Sequence, residues 1–141
     1  NILGQAKDDA SISALLNAAK KRDDEVREAA IRTLGRWDTP TPLNALKEIM
    51  NKPKSQVDER LAIDGYLRLL RLESDRSVEE TVKLYEPLTL RSLNADQKRE
   101  LLAGLAALND SRALPLALRY TADAQVQAEA TEAIETLEAA P

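Results

Sequence analysis

Hydrophobic positions in this chain fall at helical spacing, and the pattern then returns one unit later. Leu3-Gly4 is echoed by Leu34-Gly35. Ile12, Ala14, Leu15, Ala18 and Ala19 stand at the same 31-residue offset from Leu43, Ala45, Leu46, Ile49 and Met50. Within one unit, Leu61, Ala62, Tyr66, Leu69 and Leu70 follow the 3.6-residue period of a single helix face. A chain that repeats at this period is a stack of helical hairpins, each covering its neighbour's apolar side. The opening residues read as the tail of a helix that starts upstream, so the chain is expected to be a piece of a longer protein.

Local signals divide this pattern into elements. Asp9 or Ser11 is expected to cap a helix running to about Lys21. Asp23-Asp24 closes that helix and caps the next, from Glu25 to about Trp37, with acids at the positive end of the dipole. Thr41 as N-cap and Pro42 at the first helical position open a helix ending near Asn51. Lys52-Pro53-Lys54 breaks the chain, and Ser55 caps the helix that follows, to about Leu72. Ser77-Val78-Glu79-Glu80 and Asn94-Ala95-Asp96-Gln97 read as capping boxes. Pro87 is expected to kink the helix opened at Ser77, because it removes a backbone donor. Asn109-Asp110-Ser111 turns the chain, Pro115 lies near the start of the next helix, and Asp123 caps a last helix through about Ala139. The pattern predicts an all-α chain: one domain over residues 1–141, with four helical hairpins and an N-terminal remnant of a preceding repeat.

Composition narrows the chemistry. Aromatics make up 3% and Phe is absent, so the core must be built from Leu, Ile, Val and Ala, which suits packed helices better than a β-sandwich. The chain has no His and no Cys. That excludes disulfides, thiolate or imidazole metal sites, and any Ser-His or Cys-His pair. The four glycines are scattered and form no phosphate loop. The adjacent carboxylates Glu79-Glu80 and Asp8-Asp9 sit where helix starts explain them. No catalytic residue, metal or cofactor is therefore expected. A net charge of −4 disfavours nucleic acid. Lys20-Lys21-Arg22 reads as cations at a helix C-terminus, largely neutralised by Asp23-Asp24. No apolar run approaches the ~20 residues of a membrane span. Absence of Cys suits cytoplasm and periplasm alike.

One stretch points to a family. Asp23-Asp24-Glu25-Val26-Arg27-Glu28-Ala29-Ala30-Ile31-Arg32-Thr33-Leu34-Gly35 resembles the second helix of a HEAT repeat: an acidic turn, Val-Arg, a pair of Ala-like residues, then Leu-Gly. The short period is similar to that of the bacterial short-HEAT group, which includes the phycobilin-lyase repeats. The resemblance implies a right-handed α-α superhelix, armadillo-like in form, whose second helices line a concave surface. It also implies that Arg27 reaches an acidic residue of an adjacent repeat, with Asp8, Asp9 and Asp58 as the candidates. Aligning Leu34 with Tyr66, Leu105 and Ile134 gives spacings of 32, 39 and 29 residues, so the array is irregular. The residue before each anchor (Thr33, Gly65, Gly104, Ala133) is small and is expected to let helices approach closely.

On the wheel of the helix containing Leu34, Val26, Ala30, Thr33, Leu34 and Trp37 fall on the packed side, and Glu28, Arg32 and Arg36 fall opposite. Arg27 sits at the edge of the apolar face, and Trp37 and Tyr66 are expected to be buried. Alignment of the repeats sets Arg60 and Arg99 beside Glu28, Asp64 beside Arg32, and Arg68 beside Arg36. These seven residues form the candidate binding stripe; they also read as a solvated, self-paired face. Exposed pairs stabilise by only ~0.2–1 kcal/mol, a weak reason for charges to be there. In the last helix, Glu129, Glu132, Glu135 and Glu138 form an acidic stripe, with Val126, Ala130, Ala133, Ile134 and Leu137 on the packed side. That stripe reads as the polar outer face of a terminal repeat or as an acidic docking surface. The reading of the whole is a non-catalytic interaction or scaffold module of a larger bacterial protein, meeting a protein partner or an adjacent domain of its own chain. The alternatives are a structural spacer between domains, or an enzyme accessory, lyase-like module holding a small ligand in a groove.

Overall fold

The computed structural model describes residues 2–141, apart from the side chains of residues 2, 3, 5 and 6. The side chain of Leu3, whose echo of Leu34 opens the repeat, therefore lies outside the described residues. Among the described residues there are eight α-helices and no strand, the all-helical fold that the pattern predicts. The chain falls into two compact units, Asn1–Ser74 and Asp75–Pro141.

The first unit holds α1 (Ile2–Ala18), α2 (Asp24–Gly35), α3 (Leu43–Asn51) and α4 (Gln56–Leu70). Helix α2 packs against α1 and α4, and α3 packs against α4. Ile31, Leu34, Leu46, Ile63, Leu67 and Leu69 are fully buried between them. Two caps form as expected: the Asp23 carboxylate accepts from the Val26 N–H at 3.1 Å, and the Ser55 hydroxyl from the Asp58 N–H at 3.0 Å.

Two helix starts differ from expectation. Helix α1 runs unbroken through Asp9 and Ser11, so neither caps it, and Leu3-Gly4 belongs to the same helix. No Pro interrupts this stretch, and exposed Asp9 and Ser11 are tolerated on a solvent-facing side. Helix α3 starts at Leu43, one residue late, with Pro42 as its N-cap. The Thr41 hydroxyl is engaged with that of Thr39 at 2.8 Å, and the Leu43 N–H donates to the Pro40 carbonyl at 3.1 Å.

The buried face of α2 is also turned from the expected one. Arg27, Ala30, Ile31, Leu34 and Gly35 are buried, whereas Val26 and Thr33 are exposed and Trp37 is half-buried. Contacts with α4 pull positions 27 and 35 inward. Trp37 lies beyond the end of the helix, in the turn toward Pro40. Tyr66 is buried as expected.

The second unit holds α5 (Val78–Tyr85), α6 (Ala95–Ala107), α7 (Leu114–Leu118) and α8 (Gln127–Glu138). The effect of Pro87 is a change of helix type: α5 stops at Tyr85, and Glu86–Leu90 continues as a 3-10 turn. The Asn94 capping box closes in both directions, at 2.8 and 3.0 Å. At Ser77 the expected box forms only in part: the hydroxyl accepts from the Glu80 N–H at 3.1 Å, but the Glu80 carboxylate takes the Ser77 hydroxyl, at 3.2 Å, in place of the Ser77 N–H. Asp123 accepts from the Gln125 N–H and starts a 3-10 turn before α8. Its carboxylate lies 2.6 Å from the Lys98 ammonium, and the hydrogen bond from Lys98 holds it below the usual carboxylate range. Val126, Ala130, Ala133 and Leu137 are buried, Ile134 is half-buried, and Glu132, Glu135 and Glu138 face solvent.

Tyr120 is buried, and its hydroxyl has no hydrogen-bond partner among the described residues. Burial pushes its pKa from 10.0 up to about 12. The folded state thus holds the neutral phenol, and the associated stability is present below pH 10 and lost as pH rises toward 12. Tyr120→Phe is expected to change stability at pH 7 by less than about 1 kcal/mol, because no hydrogen bond is lost. It should also flatten the alkaline fall. Urea midpoints of both proteins at pH 7 and above pH 10 check this.

Candidate functional site

The site starts from a glycine pair. A Cβ built on Gly65 would stand 2.6 Å from the Cα of Gly35, and one on Gly35 would stand 2.8 Å from the Cα of Gly65. Helices α2 and α4 therefore cross backbone to backbone, which no side-chain-bearing residue at either position permits. Of the four small residues expected to allow close approach, Gly65 does so against Gly35. Gly104 instead accommodates the Tyr85 ring, whose Oη would lie 2.1 Å from an added Cβ. Thr33 is exposed, and its hydroxyl donates to the Ala29 carbonyl at 2.8 Å.

A buried ion pair fixes the register of the crossing. Arg27 Nε donates to Asp58 Oδ2 at 2.7 Å, and both side chains are almost fully buried. Arg27 Nη1 donates to the carbonyls of Lys21 and Arg22, at 3.1 and 2.8 Å, and Nη2 pairs with Asp24. One guanidinium thus joins α4, the α1–α2 turn and the first turn of α2. The Asp58 hydrogen bond is the main cause holding its pKa above the ordinary arginine value. Of the three acids considered for Arg27, Asp58 is the partner; Asp24 joins it from within the same helix.

Above the glycine pair lies a cleft of about 240 Å³. Gly35, Gly65 and Leu61 line it, with Arg32, Arg36, Asp64 and Arg68 around it. Four of the seven stripe residues thus meet here. Arg68 Nη1 donates to the carbonyls of Gly35 and Trp37 at 3.1 and 2.9 Å, and so satisfies acceptors left open at the end of α2. Asp64 lies 3.7 Å from Arg60 on the same helix, not against Arg32. Glu28 is half-buried one turn before Arg32. Arg32 and Arg36 are exposed and make no ion pair or side-chain hydrogen bond among the described residues. Arg99 belongs to the second unit, where it pairs with Asp96 at 2.8 Å and Glu129 at 3.1 Å. The cleft therefore carries three guanidiniums against one carboxylate, on a chain of net charge −4. Sequence reasoning missed Gly35, Leu61 and Gly65 as lining residues. Both glycines were visible, but nothing in the sequence pairs one with the other.

Two further depressions lie in the first unit. One, of about 300 Å³, is lined by Lys20, Glu48, Ile49, Lys52 and Lys54, with Asp58 and Ala19 behind them. Lys20 and Glu48 approach within 3.4 Å across it, and Asp58 is tied to Arg27. The other, of about 520 Å³, lies beyond Arg36 and includes Asp8 and Asp38. Among the described residues no cluster of three metal-ligating side chains occurs, and no helix is long and apolar enough to cross a membrane.

Comparison with known proteins matches residues 1–65 to the family model of HEAT repeats. No curated protein and no solved structure matches the chain.

Proposed function

We propose, from the match of residues 1–65 to the family model of HEAT repeats, that this chain is a non-catalytic module whose α2/α4 face receives a protein partner. HEAT repeats generally mediate protein–protein interaction or scaffolding. The observation that carries the reading is the pair Arg32 and Arg36: two exposed, unmatched guanidiniums beside a cleft whose other charges are engaged. Like charges four residues apart on one helix repel each other by a few tenths of a kcal/mol, so helix stability does not account for this pair. Arginine with apolar surface beside it is a frequent interface composition. The depression beside Lys20 lends the lyase-like alternative less support, because its Glu48 and Asp58 are already held by cations within the fold.

The test is site-specific photocrosslinking. A benzophenone side chain replaces Leu61, in the cleft, or Thr136, exposed on α8. In extract from the source cells, the position-61 protein is expected to give one discrete protein adduct that unlabelled chain competes away, and the position-136 protein none. Adducts that are equal at both positions, or absent at 61, would overturn the docking reading in favour of a spacer.

A further inference from the structure

We infer that the cleft takes an acidic protein segment in extended conformation, with carboxylates from two alternate residues received by Arg32 and Arg36. The inference rests on the docking proposal and names the chemistry of its partner. Arg32 and Arg36 stand one helical turn apart, about 6 Å along the axis of α2. Alternate residues of an extended strand point to the same side and lie about 6.6 Å apart. The two spacings agree, so one strand running along α2 presents a carboxylate to each guanidinium. A planar guanidinium fork matches a carboxylate with two parallel hydrogen bonds. A helical partner is a cylinder about 10–12 Å across. A depression of about 240 Å³ suits the side chains of a single strand better.

The surrounding charges set where the carboxylates go. Arg68 is held by the Gly35 and Trp37 carbonyls, so its charge is fixed beside the floor. Asp64, next to Arg60, repels an acid from the α4 edge. Asp8 and Asp38 make the depression on the far side of Arg36 anionic. Glu28 ends the basic track one turn before Arg32. Two carboxylates are thus accommodated over Gly35, and a third toward Glu28 is opposed.

The test uses the full chain and two labelled twelve-residue peptides at low salt. One peptide alternates Glu with Thr; the other alternates Gln with Thr. The Glu peptide is expected to bind roughly tenfold tighter or better, as charge-assisted pairs allow, and to weaken as salt rises. Arg32→Gln/Arg36→Gln should remove the difference while leaving the melting temperature unchanged, since both side chains are exposed. Lys47→Gln, on the exposed side of α3 and outside the cleft lining, should leave the difference as it is. Equal binding of the two peptides overturns the inference. So does retention of the preference in the double variant. Tripolyphosphate bound as tightly as the Glu peptide, and lost in the same variant, marks a general anion site and also overturns it. A position-61 adduct together with peptides that bind alike leaves the docking reading standing and removes only the acidic segment.

Discussion

Asp58→Ala is expected to destabilise the first unit by about 3–5 kcal/mol, the cost of leaving a buried charge without its partner. The substitution leaves Arg27 buried with its Nε donor unmatched. It also removes an acid from the first turn of α4, where the helix dipole favours one. Arg27 keeps Asp24 and two carbonyls, so the lower end of the range is expected if those contacts tighten. Urea unfolding should show a lower midpoint with an unchanged slope. The double variant Arg27→Met/Asp58→Leu should recover most of the loss, because it removes both desolvation costs together. Asp58 Oδ1 strengthens that expectation: it is buried and has no hydrogen-bond partner among the described residues, so the native pair is imperfectly satisfied. A loss below about 1 kcal/mol in Asp58→Ala, within the range of an exposed pair, would show that this contact does not fix the register.

Gly65→Ala is the second large effect. An exposed helical Gly→Ala substitution stabilises by about 1 kcal/mol through propensity alone. Here the new methyl would meet the Gly35 Cα at 2.6 Å and Leu46 Cδ1 at 3.3 Å. The first of these is backbone and cannot swing aside, so α2 and α4 must separate. Overpacking of this kind costs about 1–3 kcal/mol, and the net effect is a loss. For a unit of this size each kcal/mol lowers the melting temperature by roughly 4–8 °C. Gly65→Val adds a second branch against the same wall and should cost more. Either variant should also widen the cleft and weaken the Glu peptide before the unit unfolds. A melting temperature for Gly65→Ala at or above the parent value would show that the crossing has room to spare.

Much of this was legible from the sequence, and the residues show why. Caps are local: Asp23, Ser55, Ser77, Asn94 and Asp123 each bond an N–H two or three positions on, so their own neighbourhood announces them. Pro87 stops α5 for an equally local reason. Arg32, Arg36, Asp64 and Arg68 lie together because helical period and repeat spacing suffice to align them. Thr41 and Ser11 had the right residue type for caps and yet cap nothing, because a neighbouring hydroxyl or an uninterrupted helix took precedence.

The sequence by itself determined that the chain is helical, roughly where the helices after α1 begin, and which charges share a face, since these follow from interactions within a few residues. The tertiary structure alone decided how far α2 is turned about its axis, that Gly35 meets Gly65, that Arg27 chooses Asp58, and that Arg32 and Arg36, beside the cleft, make no ion pair among the described residues. Those outcomes depend on which surfaces of two helices touch. Period and spacing leave that choice open, and close packing settles it.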